Sequence, residues 1–163
     1  MAQTIRLKSH KVLIRAPREL VYQKMSAFGS GRLNGESSES SRVVSRSDDK
    51  IIAEFKSRAG AFTITTLEEV TLEPPERITF RHLRGPLHYA REEFALHDVD
   101  GGTELTHDGE FVWSRLPLLG WLAGRLLIKP AFQRIIEDHV AVIRVACEAR
   151  AKRSHVFRPA GTR

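Results

Sequence analysis

The sequence predicts an α+β fold in which a curved antiparallel β-sheet wraps around a long C-terminal α-helix, with one or two short helices after the first strand. Three observations predict it. Between residues 39 and 113, segments of alternating polarity are separated only by short turn clusters, so neighbours pair antiparallel. From Pro130 to Lys152, apolar residues recur at three- and four-residue steps, the period of a helix about six turns long. Such a half-apolar helix cannot bury its own stripe, and the chain before it consists mainly of strands.

The elements follow in order. In residues 3–14, Ile5 and Leu7 share one parity and Val12 and Ile14 the other, which predicts one strand with a bulge or bend at 9–11. Pro17 at a first helical position opens a short helix to about Ser26, with Leu20, Val21 and Met25 as its apolar stripe. Residues 28–34 read as a turn or a short second helix. Strands follow at 39–46, 51–58, 61–72, 77–83, 88–99 and 103–113. The turns between them include Ala59-Gly60, Glu73-Pro74-Pro75-Glu76, where two prolines cannot continue a ladder, and Asp100-Gly101-Gly102. On the final helix Phe132, Ile135, Ile136, His139, Val142, Ile143 and Ala146 form the apolar face. Arg134/Asp138, Arg144/Glu148 and Glu148/Lys152 form surface pairs.

At 163 residues the chain is long enough for one sizeable core, taken as a domain over 1–153. The net charge of +6 is concentrated at the end: residues 144–163 carry six Arg or Lys against Glu148 alone. Residues 154–163 read as a basic, flexible tail. The single cysteine, Cys147, excludes a disulfide framework or a cysteine-based zinc site and reads as packing. No apolar run reaches the roughly 20 residues of a membrane span, and the first residues lack a secretory apolar region, so a cytoplasmic protein is expected. Nucleic-acid binding is disfavoured, because no aromatic stripe alternates with basic residues.

Three stretches carry a family resemblance: Ile14-Arg15-Ala16-Pro17-Arg18-Glu19-Leu20-Val21-Tyr22 after the first strand, Glu73-Pro74-Pro75-Glu76-Arg77-Ile78 between strands, and Gly101-Gly102-Thr103-Glu104-Leu105-Thr106 at the last hairpin. With the terminal helix, their order resembles the Bet v 1/START-related superfamily (SRPBCC, polyketide cyclase/dehydrase-like) over residues 3–152. Tyr22 stands where many members have tryptophan. The resemblance implies the helix-grip fold with a cavity between sheet and helix, and leaves the activity open.

Parity places candidate residues in that cavity. Phe62, Ile64, Thr66, Glu68 and Val70 share a face; so do Ile78, Phe80 and His82; Glu92, Phe94 and Leu96; and Leu105, His107, Gly109, Phe111 and Trp113. If these faces meet the helix, Glu68, His82, Glu92 and His107 point inward and His139 sits mid-helix among them. Inward ionisable groups are costly unless paired or hydrated, and a few polar groups in an apolar cavity are the usual form of a small-molecule site. The expected ligand set is Phe80, His82, Phe94, Phe111, Trp113, Trp121, Ile135, His139 and Ile143. The expected ligand is a hydrophobic small molecule: a lipid, quinone or polyketide-like compound. The resemblance also admits a cyclase or dehydratase in which His107 and Glu92 do acid–base chemistry. No cofactor is expected and no metal, since His82, His107 and His139 lack a short ligand spacing.

Residues 116–128, LPLLGWLAGRLLI, hold one charge, Arg125, and two glycines that weaken a helix. They are either a lead-in whose leucines plug the sheet end, or a gate or membrane-touching patch assisted by the basic tail. A third reading makes the domain an interaction module with a filled cavity, its contact at 118–127. Oligomeric state is left open.

Overall fold

The computed structural model describes residues 3–29, 31–32, 40–59, 62–113 and 117–156. Gly60 of the expected Ala59-Gly60 turn and most of the basic tail fall outside these residues.

The strands are β1 (Ile5–Arg6), β2 (His10–Ile14), β3 (Gly31–Arg32), β4 (Ser40–Arg46), β5 (Lys50–Ala59), β6 (Phe62–Glu73), β7 (Arg77–Arg84), β8 (Tyr89–Val99) and β9 (Gly102–Val112). They form one antiparallel sheet in the order β1-β9-β8-β7-β6-β5-β4-β3, with β2 also on β9. The predicted bend in the first strand is the break between β1 and β2. Ile5 pairs with Phe111 and His10 with His107, so the register slips by one residue between them. That slip lets Ile5, Leu7 and Ile14 all be buried.

Helix α1 (Arg18–Met25) starts after Pro17 and buries Val21, Tyr22 and Met25. Leu20, expected in its stripe, is only half-buried, and Tyr22 takes that place. Within 28–34 the described residues form no second helix: Gly31 and Arg32 make a two-residue strand against Ser41 and Ser40.

Beyond β9 the chain forms α2 (Pro117–Ala123), a π-helical turn (Gly124–Ile128) and α3 (Lys129–Val156). α3 buries Ile136, Val140, Ile143, Cys147 and Ala151. This face is rotated from the expected one. Val142 is 43% exposed, and Ile135, His139 and Ala146 are half-buried at the border. The helix is tied along the first strand. Lys8 N–H donates to Gln133 Oε1 (3.0 Å), Gln133 Nε2 to the Lys8 carbonyl (3.2 Å), and Arg15 N–H to Glu148 Oε1 (3.1 Å). These side chains satisfy backbone groups on an exposed sheet edge. Glu148, expected in surface ion pairs along the helix, therefore makes a tertiary contact.

Two apolar clusters result. The larger joins α1 and α3 to Ile14, Ile51, Ala53, Val70, Ile78, Phe94, Leu96 and Leu105. The smaller gathers Ile5, Leu7, Ala90 and Phe111, with Leu87, Trp113, Trp121 and Ile128 against it. Phe132 packs on both, and its ring centroid lies 5.6 Å from that of Phe111. Among the described residues no helix is long and apolar enough to cross a membrane. The leucines of α2 and the π turn do not plug the sheet end; they face outward.

Candidate functional site

The antiparallel register aligns inward side chains in rows across the sheet. Leu72, Ile78, Phe94 and His107 form one row; Ile51, Val70, Phe80, Glu92 and Gly109 the next; Ala53, Glu68 and His82 the third. Toward one end the concave face is closed by buried Ile51, Val70, Ile78, Phe94 and Leu96. Toward the other, Phe55, Thr66, Glu68, Phe80, His82 and Glu92 point the same way yet keep partial exposure. The concave face is thus filled at one end and accessible at the other.

A wall of rings crosses this boundary. Phe28, Phe55 and Phe80 meet edge to face with centroids 5.8–6.0 Å apart. Phe80 touches Phe94 at 5.8 Å, and Phe94 lies 4.6 Å from the His107 ring. Phe28 and Phe55 were not singled out in the sequence. Phe55 shares the parity of Ile51 and Ala53, a signal that was available; Phe28 follows α1, where periodicity says nothing.

The polar groups gather beside this wall. His107, at 0% exposure, has Nε2 3.0 Å from Glu92 Oε2. Its Nδ1 is buried without a protein partner, as is His82 Nε2. Gly109 makes room for the pair: a Cβ there would stand 3.3 Å from Glu92 Cγ and 3.4 Å from His107 Cε1. Gly85 closes over His82, since a Cβ there would lie 2.6 Å from His82 Cε1 and 3.0 Å from Thr66 Cγ2.

The ionisation states differ along the row. Burial, then the nearby Glu92 carboxylate, pushes the Glu68 carboxyl up to about 7, while a hydrogen bond from Thr66 Oγ1 (2.8 Å) opposes the shift. Burial lowers His82, partly offset by its hydrogen bond to the Leu87 backbone and by Glu92. Near neutral pH the cluster therefore offers a carboxyl that holds its proton easily and an uncharged imidazole. Among the described residues no group of His, Cys, Asp and Glu is arranged to hold a metal.

The structure divides the expected ligand set. Phe80, Phe94 and Ile143 lie in or against the large cluster. Phe111, Trp113 and Trp121 belong to the smaller cluster under α2. Ile135 and His139 sit half-buried at the border of the helix face.

No protein-family model matches the chain, and neither does any curated protein. Solved structures do. TTHA0849 from Thermus thermophilus superposes with a TM-score of 0.73 at 17% identity, covering 90% of this chain and 99% of that one. The Zhui aromatase/cyclase from Streptomyces sp. R1128 gives 0.67 at 17% identity, covering 98% and 100%. A START superfamily protein from Mycobacterium smegmatis gives 0.62 at 15% identity, covering 91% and 99%. At these identities the likeness is one of fold. The chain has the SRPBCC/Bet v 1-like helix-grip fold, as its sequence motifs implied.

Proposed function

We propose that this helix-grip chain binds a hydrophobic small molecule bearing a polar group, seated at the accessible end of its concave face. The observation that carries this reading is the juxtaposition of a part-exposed aromatic wall with buried ring nitrogens that have no protein partner. A buried polar atom left unpaired costs about 1–3 kcal/mol, which a ligand group reaching it would recover. Phe28, Phe55, Phe80 and Phe94 would hold the apolar part. His82, Glu68 and the His107–Glu92 pair would meet the polar part. The fold's occurrence in a named aromatase/cyclase and a START protein supports a lipid, quinone or polyketide-like ligand.

A second reading, cyclase or dehydratase chemistry, is favoured by one specific arrangement. In the neutral tautomer that donates Nε2–H to Glu92, His107 would keep Nδ1 as its proton acceptor. Protonated Glu68 would supply the acid for a carbonyl or departing hydroxyl oxygen.

Native mass spectrometry of the freshly purified chain, with displacement of a fluorescent apolar probe, tests the first reading. A co-purifying apolar compound, or probe uptake that Phe80→Ala weakens, supports it. A clean chain that takes up no probe overturns it. His107→Ala separates the two readings: loss of turnover at unchanged affinity marks an enzyme, whereas loss of affinity alone marks a carrier.

A further inference from the structure

The segment after β9 is inside out. Gly120 and Gly124, one helical turn apart, are buried against the body of the protein. A Cβ on Gly124 would stand 2.5 Å from Ile5 Cδ1 and 3.1 Å from Trp113 Cβ, so glycine lets the helix lie close without displacing the Ile5 side chain or crowding Trp113. The leucines take the other side: Leu118 and Leu119 are each 71% exposed, Leu122 45%, Leu126 61% and Leu127 69%. The π turn at Gly124–Ile128 rotates less per residue than an α-helix and so keeps Leu126 and Leu127 near the side of Leu118 and Leu122. A water-facing helix ordinarily reverses this arrangement, and a contiguous exposed apolar patch marks an interaction surface.

The charges around the patch bear on what it could meet. A groove of about 370 Å³ beside it is lined by Lys8, Arg125, Leu126, Lys129, Pro130 and Gln133, cations without a carboxylate. No Asp or Glu occurs between Glu110 and Glu137. The Arg125 guanidinium lies 5.4 Å from the Trp121 ring centroid. The apolar face is short, and it cannot span a bilayer as a helix. Leucines edged by cations fit an interface with an apolar interior and an anionic surface.

We propose that this face docks on an anionic lipid bilayer, with the leucines entering the acyl boundary and Lys8, Arg125 and Lys129 facing the headgroups. The docking does not depend on the ligand reading; a chain that binds no ligand would still show it.

Vesicle flotation of the full chain tests this, comparing phosphatidylcholine with a phosphatidylcholine/phosphatidylglycerol mixture. The chain floats with the anionic vesicles, and added salt weakens the association. Arg125→Gln with Lys129→Gln lowers affinity for them by about thirtyfold. Leu118→Ser with Leu119→Ser and Leu126→Ser abolishes flotation while the circular dichroism spectrum is kept; Leu119→Ser alone weakens it. In a Trp113→Phe background, Trp121 emission shifts to the blue on vesicle addition. Absence of flotation overturns the proposal. So does flotation indifferent to the leucines, which would assign binding to charge elsewhere. A dimer in sedimentation equilibrium that the leucine substitutions break, without vesicle association, assigns the face to a second copy of the chain instead.

Discussion

His107 Nε2 lies 3.0 Å from Glu92 Oε2 in a histidine that has no exposed surface. Glu92 is the protein partner of that nitrogen, and Nδ1 has none. Glu92→Ala therefore leaves a buried imidazole unpaired at both nitrogens, and should cost about 1–3 kcal/mol in urea unfolding. His107→Leu with Glu92→Leu removes both polar groups and should cost less than the two single changes added together. Additive losses would show that the two side chains do not act as a pair.

Glu68 makes stability depend on pH. Its carboxyl is raised to about 7 in the fold from an ordinary value of 4.5, mainly by burial. A raised folded value means that the folded chain holds the proton more tightly than the unfolded chain. The favourable contribution is complete below about 4.5 and fades as pH rises through about 7. The wild type should lose about 3 kcal/mol from this group between pH 4 and pH 8, relative to Glu68→Gln. Denaturation series on both proteins across that range measure the difference. Parallel curves would show that Glu68 ionises as freely in the fold as outside it.

The strands were legible because period-two alternation and the turn clusters at 73–76 and 100–102 agree with each other. Parity alone placed Glu68, His82, Glu92 and His107 inward, and the register then put His107 beside Glu92. What the pattern could not supply was depth along the sheet. Phe80 and Phe111 share an inward direction, but they lie in separate clusters: Phe111 in the one that Trp121 of α2 packs on, Phe80 against the larger one. The leucines at 118–127 were equally opaque: hydropathy does not say which side of a helix faces the protein. There Gly124 contributes, since a Cβ on it would crowd Ile5 and Trp113.

The helix face offers a sharp comparison. Val140 is 0% exposed and packs in the large cluster, whereas Val142, two residues on, is 43% exposed. Periodicity selected Val142, because a stripe through Ile135, His139, Val142 and Ala146 is as regular as one through Ile136, Val140, Ile143 and Cys147. Val140→Ala should cost about 1–3 kcal/mol through the cavity it leaves. Val142→Ala should stay within about 0.5 kcal/mol. Equal losses would place the helix at a different rotation.

Gly109 joins stability to the site. Alanine ordinarily suits a strand better than glycine, by roughly 0.5–1 kcal/mol. At this position an added Cβ would stand 2.9 Å from Leu7 Cδ1 as well as against Glu92 and His107, so crowding outweighs the gain. Gly109→Ala should therefore destabilise the chain by about 1–2 kcal/mol. Leu7 can give way, being the flexible end of a side chain, but Glu92 and His107 are held to each other at 3.0 Å. Shortening Leu7 in the same protein relieves the nearest contact without moving the pair. Gly109→Ala with Leu7→Ala should thus cost less than the sum of the single changes, while apolar-probe affinity stays below that of the Leu7→Ala protein. Full recovery of affinity in the double variant would mean that the crowding acts through Leu7 alone and leaves the His107–Glu92 geometry untouched.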